Sequence, residues 1–180
     1  ENFTSLMKEK FARYQNFHIV NADFEDYSFE DNTYDLVYSA ATIQWIPEET
    51  AFTKTYRMLK PGGFLAMFMT RSDERSANPS LREEIDKVYD KHFHVKQKYS
   101  CKLNYENVLN YGFENLKYKE WKSVRKLNAE EYICYISTHC EHITLDEPYK
   151  SNYYAGIRNA VAEAGNEIVI IDTIPLYLVQ

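Results

Sequence analysis

The stretch Tyr34 to Pro47, YDLVYSAATIQWIP, decides how the rest of the chain is read. Leu36 and Val37, flanked by Tyr34 and Tyr38, make the short apolar and aromatic run expected of a strand buried on both faces in a parallel sheet. We read it as a central strand. Small residues follow at once, Ser39, Ala40, Ala41 and Thr42, then Ile43, Gln44 and Trp45, and Pro47 opens a helix where its missing N–H does no harm. Strand, tight loop and helix in that order put the loop beyond the carboxyl end of the strand. Open α/β sheets bind ligands there, and small side chains let a ligand come close to backbone. An ordinary connecting loop has the same composition, so this stretch alone does not separate the two.

Upstream, Phe3, Leu6, Met7, Phe11 and Tyr14 recur at helical spacing with Lys8, Glu9, Lys10 and Arg13 opposite, which predicts an amphipathic helix over Phe3 to Tyr14. Phe17 to Val20 reads as a short strand ending in Asn21-Ala22-Asp23-Phe24. An acidic, aromatic loop follows, and Asp31-Asn32 supplies the turn into the central strand. Downstream, the helix opened by Pro47 carries Phe52, Tyr56 and Leu59 on one stripe, and Lys60-Pro61-Gly62-Gly63 stops it. Phe64 to Met69 is apolar throughout, a second buried strand, and a right-handed parallel crossover is the expected link to the first. Helices are expected over Pro79 to Phe93, Tyr105 to Tyr111, Asn128 to Cys140 and Asp146 to Ala164. Phe113 to Trp121 is a weak strand, and Glu167 to Val179 is the last strand, with Pro175 marking a break or an edge.

The 180 residues suffice for one domain with a sizeable core, so residues 1–180 are expected to form a single domain. With 21 Lys and Arg against 27 Asp and Glu, the net charge of -6 disfavours nucleic acid, whose backbone needs a basic face. No apolar run approaches the roughly 20 residues of a membrane span and no leader-like segment opens the chain, so the expectation is a soluble, cytoplasmic protein. Cys101, Cys134 and Cys140 fit neither a disulfide framework nor a metal knuckle, which points to a reducing compartment. His139-Cys140-x-His142 is too crowded for structural zinc, and no metal is expected.

Three stretches together carry a resemblance: NADFED (Asn21 to Asp26), NTYDLVYSAATIQWIPE (Asn32 to Glu48) and YRMLKPGGFLAMF (Tyr56 to Phe68). In this order they resemble the middle and C-terminal part of a class I S-adenosylmethionine-dependent methyltransferase of the type-11 group. SAATIQWIPE is similar to the same place in trans-aconitate methyltransferases. The resemblance implies an α/β fold, a Rossmann-like sheet lacking its first two strands, with helices on both faces and an antiparallel C-terminal strand. Family sheets run in the order 3-2-1-4-5-7-6. The glycine-rich turn after the first strand and the acid that ends the second have no counterpart, so the chain is expected to be a methyltransferase fragment, inactive by itself.

The same resemblance assigns roles. The Asp23 carboxylate would accept from the exocyclic amine of adenine while the Phe24 N–H faces a ring nitrogen, a donor and acceptor pair that matches the adenine edge. Ser39 and Ala40 would lie against the methionine part of the cofactor, with Trp45 near its sulfonium, where an aromatic face is attractive. For a small carboxylic acid substrate, Arg71 and Arg75, just past the strand Phe64 to Met69, are candidates to clamp the carboxylate in two-point fashion. Read without the resemblance, Asp23 turns a loop, Trp45 fills a core, and the arginines are solvated. The competing function is a non-catalytic α/β module whose aromatic-rich helices, Tyr89 to Tyr154, bind a protein or lipid-like partner. A sheet without its first two strands would also leave Tyr34 to Tyr38 unpaired on one side. Either Phe17 to Val20 moves over to it, or a second copy covers it, and a homodimer is the favoured expectation.

Overall fold

The structure is a computed structural model that describes residues 2–95 and 103–180; Cys101 lies outside the described residues. The chain opens with helix α1 (Asn2–Lys10) and then runs irregularly to strand β1 (Tyr34–Ala40), a 3-10 turn (Ile43–Trp45) and helix α2 (Glu48–Met58). Strands β2 (Leu59–Phe68) and β3 (Arg71–Asp73) follow, then helix α3 (Pro79–His92), a second 3-10 segment (Tyr105–Tyr111) and strand β4 (Lys117–Leu127). Helices α4 (Ala129–Ile136), α5 (Cys140–Ile143) and α6 (Tyr149–Glu163) lead to strand β5 (Ile168–Val179).

The five strands make one mixed sheet. β1 and β2 are parallel, with Val37 beside Leu65 and Ser39 beside Met67, and α2 is the crossover between them. β5 runs antiparallel to everything it touches: β4 along one side from Leu127–Ile168 to Lys117–Leu178, and β2 and then β3 along the other. The order β1-β2-β5, with β4 on the far side of β5, matches the 4-5-7-6 half of the family order.

Side chains alternate faces along a strand, so Ile168 and Ile170 lie on the face opposite Tyr177 and Val179. One core packs Ile168 and Ile170 under α3, α4 and α6; the other packs Val179, Leu65 and Met67 under Ala51 and Phe52 of α2 and Val108. Helices therefore cover both faces, but at opposite ends of β5. Gly156 of α6 lets α3 come close, since a Cβ there would lie 2.6 Å from Val88 Cγ1.

Several expected elements differ. Phe17 to Val20 joins no ladder, because a strand needs a partner for its N–H and C=O groups and none lies beside it among the described residues. α1 ends at Lys10, short of Tyr14. The Lys60-Pro61-Gly62-Gly63 stop ends α2 but is itself the start of β2, where Gly62 takes φ 82° and the register against β1 shifts between Tyr34 and Leu36. Tyr105 to Tyr111 is a 3-10 segment, and β4 begins four residues later than Phe113 and runs on to Leu127. Pro175 sits in the most fully paired strand, not at an edge. It is tolerated because Ile174 and Pro175 fall between the β2 and β3 ladders, where that side of β5 has no partner for an N–H.

β1 is also not buried on both faces. Val37 and Ser39 point to the α2 core, whereas Leu36 is 54% and Tyr38 69% exposed. Register explains it: Tyr38 shares its face with Ala66 and Leu178, the continuation of the face that α3 and α6 cover only at the other end of β5. The outer edge of β1 has no partner among the described residues.

Candidate functional site

Beyond the carboxyl end of β1 the chain turns sharply, and small residues permit it. Ala41 adopts φ 53°, a left-handed conformation that costs a non-glycine residue about 1 kcal/mol or more, and its N–H donates to Phe68 O at 2.8 Å. This bond ties the loop to the end of β2. Ser39 Oγ accepts from the Ile43 N–H at 2.9 Å, and Thr42 Oγ1 donates to Ala40 O at 3.0 Å. Tyr38 and Phe68 stack in parallel across the two strands. Gln44 Oε1 accepts weakly from Tyr105 Oη at 3.4 Å, while Glu48, in the first turn of α2, accepts from Asn107 and from Tyr111 Oη. These contacts dock the 3-10 segment Tyr105–Tyr111 beside the loop. Ser39 is half-buried, Ala40 exposed and Trp45 52% exposed, so the three lie together at a strand end that a ligand can reach.

Asp23 and Phe24 are placed elsewhere. Asp23 Oδ1 accepts from the Glu25 N–H at 2.9 Å and its carbonyl from the Tyr27 N–H, so the residue turns the loop, and its side chain is exposed. Lys54 of α2 anchors that loop by donating to Phe24 O at 2.6 Å and Glu25 O at 2.8 Å, with its ammonium 5.3 Å from the Phe24 ring centre. These bonds lead to the middle of α2 and not to the Ser39–Trp45 loop.

The arginines separate as well. Arg71 is an exposed residue of β3 opposite Thr173. Arg75 stands two residues past β3 and lines a cavity of about 70 Å³ between α3, α4, α5 and α6. Its Nη2 meets Asp86 Oδ1 at 3.3 Å, and Arg82 Nε meets Asp86 Oδ2 at 3.4 Å. Tyr89, Tyr132 and Tyr153 line the same cavity, with His139, His142 and Glu74. Burial drives the Tyr132 and Tyr153 hydroxyls well above their ordinary range, and the Glu74 charge adds to both, so they stay protonated. Burial also lowers His139, and it holds His142 down to about 4, with the neighbouring His139 contributing. His142 Nδ1 is buried without a hydrogen-bond partner. The sequence offered only two signals for this cavity: the crowded His139-Cys140-x-His142 triplet and the density of tyrosines from Tyr89 to Tyr154. Among the described residues no group of His, Cys, Asp and Glu is arranged to hold a metal ion, and no helix is long and apolar enough to cross a membrane.

Below the cavity, Asp172 of β5 is only 5% exposed and carries a charged network. Arg125 of β4 donates to it through Nε at 2.5 Å and Nη2 at 3.0 Å, and Ser72 Oγ at 2.6 Å, while Tyr135 Oη donates to Ser72 at 2.9 Å. Arg125 holds the Asp172 carboxyl below its usual range against the desolvation that would raise it. The network joins β3, β4, β5 and α4 and fixes the floor from which Glu74 and Arg75 project.

Residues 1–67 match a family described as a methyltransferase domain. The chain is 38% identical over 69 residues to a malonyl-[acyl-carrier protein] O-methyltransferase of Marinomonas sp. strain MWYL1, covering 38% of this chain and 25% of that protein. It is 25% identical over 171 residues to malonyl-[acyl-carrier protein] O-methyltransferase 2 of Ilyobacter polytropus, covering 83% of this chain and 62% of that protein. The chain thus spans between a quarter and under two thirds of the length of these relatives. A solved structure of a candidate methyltransferase from Bacillus halodurans C-125 superposes with a TM-score of 0.55 at 18% identity, covering 99% of this chain and 78% of the other. The fold resembles that of the Rossmann-like methyltransferases, and the first 67 residues match the methyltransferase-domain family.

Proposed function

We propose that the protein to which these 180 residues belong transfers a methyl group from S-adenosylmethionine to a carboxylic acid, small or carrier-linked. The observation that carries this reading is the tight Ser39–Thr42 turn at the end of β1, tied to β2 and lying inside the segment that matches the methyltransferase domain. The residues present there fit the group. Ala40 and Ala41 have no atoms beyond Cβ to block close approach. Ser39 keeps its own O–H to donate after accepting from Ile43, and Trp45 offers an exposed aromatic face to a sulfonium. Asp23 and Phe24 are the proposed adenine contacts, from a loop that Lys54 now holds against α2.

When bound, the cofactor supplies an electrophilic methyl group. The chain's own residues have to align the acceptor and exclude water, since displacement at carbon gains most from orientation. A carboxylate acceptor is already a nucleophile and needs no general base. Arg71 or Arg75 would hold it, and Arg75 is favoured because it lines a cavity. The two relatives described as malonyl O-methyltransferases support an acid acceptor, because the oxygen a malonyl group offers is that of its free carboxylate.

Two experiments test the proposal on the whole protein. Calorimetric titration with S-adenosylmethionine should show binding that Asp23→Ala weakens about 5- to 150-fold, the equivalent of leaving the adenine amine without an acceptor once the cofactor covers it; unchanged affinity removes the adenine assignment. A turnover screen of small acids, amines and phenols should find acids, and turnover confined to amines or phenols rejects the substrate class.

A further inference from the structure

The cavity beside Arg75 carries an unusual charge balance. Two guanidiniums, Arg75 and Arg82, share the carboxylate of Asp86, and Asp73, outside the lining, also acts on Arg82, so the charge least offset is that of Arg75, with its single contact at 3.3 Å. Glu74 lines the same space and makes no ion pair among the described residues; its contact with Asn78 is through its carbonyl. A positive charge only partly offset and a negative charge with no ion pair among the described residues therefore border one partly open cavity.

The walls between them favour a cation beside Glu74. Tyr132 and Tyr153 are nearly fully buried, and Tyr89 packs edge-on against Tyr153 at 6.0 Å, so phenol rings flank the space. Ring faces attract ammonium groups, more strongly where water is excluded. The two imidazoles at the boundary are held neutral by burial and put no positive charge in the way. A simple anion would meet Glu74, and a simple cation would meet the arginine pair. At roughly 10 to 15 Å³ per enclosed water, about 70 Å³ accommodates about five to seven heavy atoms.

We infer that this cavity binds a small zwitterion, an amino acid of the size of glycine or alanine, with its carboxylate at Arg75 and its ammonium at Glu74 among the tyrosine rings. The inference rests on the reading of Arg75 as the carboxylate-holding residue and narrows the acid to one that also bears an amine. The test is an NMR titration of the ¹⁵N-labelled chain with alanine, propionate and ethylamine, each followed at the resonances of α3, α4 and α6. Alanine should bind at least about tenfold more tightly than either half-molecule. Glu74→Gln should remove that advantage while leaving propionate binding in place. Arg75→Gln should weaken alanine and propionate alike and spare ethylamine. Propionate binding as well as alanine, with Glu74→Gln silent, would overturn the zwitterion and leave the carboxylate reading standing. Ethylamine binding as well as alanine, with Arg75→Gln silent, would overturn both. No response at the cavity to any of the three would remove the site, and the turnover screen would then judge the acid reading alone.

Discussion

His142 gives the clearest quantitative handle on this fold. Its ring, 7% exposed, is packed by Phe93 at 4.8 Å and Tyr153 at 5.3 Å, and Nδ1 has no partner. Burial lowers its affinity for a proton to about 4, whereas in the unfolded chain it titrates near the ordinary 6.5. Between those values the unfolded state binds the extra proton, so stability is whole above about 6.5, falls as the pH drops through the window and levels off below about 4. The slope cannot exceed about 1.4 kcal/mol per pH unit, and a discount for water reaching the ring across the cavity brings the whole loss to about 2 kcal/mol. His142→Phe keeps a ring in place and removes both the titration and the orphan nitrogen. At neutral pH it should lie within about 1 kcal/mol of wild type, because relief of an unpaired polar atom and the strain of a larger ring are each worth about 1 to 3 kcal/mol with opposite sign. Urea unfolding at about pH 7, 5.5 and 4.5 measures the difference, with His139→Phe as the half-exposed control. Parallel pH profiles for wild type and His142→Phe would refute the reasoning.

Two further outcomes are expected. Asp172→Asn strands Arg125 and should cost about 3 kcal/mol near neutral pH, while Asp172→Leu combined with Arg125→Met should cost less than either single change; strictly additive costs in urea would show that the two residues do not act as a pair. The wild-type contribution should persist down into the carboxylate range and vanish only as the pH falls through the lowered value of Asp172. The open edge and uncovered face of β1 should drive self-association at micromolar concentration, and Tyr38→Lys, on the exposed face, should return the chain to a monomer. Sedimentation showing a folded wild-type monomer would dispose of the homodimer.

How much of this was legible beforehand follows from what kind of signal each element carries. The β1-loop-α2-β2 unit could be read because each part has its own local mark: an aliphatic strand, a run of small residues, a proline at the helix mouth and a glycine pair after it. Asn128 was legible as a cap for the same reason, and it forms a reciprocal capping box with Glu131. Phe17 to Val20 misled because an apolar run states a preference for burial and not the presence of a neighbour to pair with. Pro175 misled because its tolerance depends on a gap between two other ladders, set by residues more than a hundred positions away. The cavity was out of reach for a related reason: Glu74, Arg75, Tyr89, Tyr132, His142 and Tyr153 come from five separate segments, and the contacts some of them make within a turn, such as Tyr89 with Phe93 and His142 with His139, say nothing of the other segments that close the space.

The position of β5 in the sheet bears on how the molecule is made. It is the latest of the strands in the sequence, yet it stands between β2 and β4 and supplies residues to both cores. While the chain is being synthesised, β1, α2 and β2 can assemble early as a local unit, but β4 has no neighbour and α3, α4 and α6 have no floor until residues 168–179 emerge. Most of the long-range order therefore arrives at once and late, a high-contact-order step that is slow and leaves the β2 edge open meanwhile. A nascent chain stalled before Ile168 would present that edge to chaperones, and to other nascent copies on the same message.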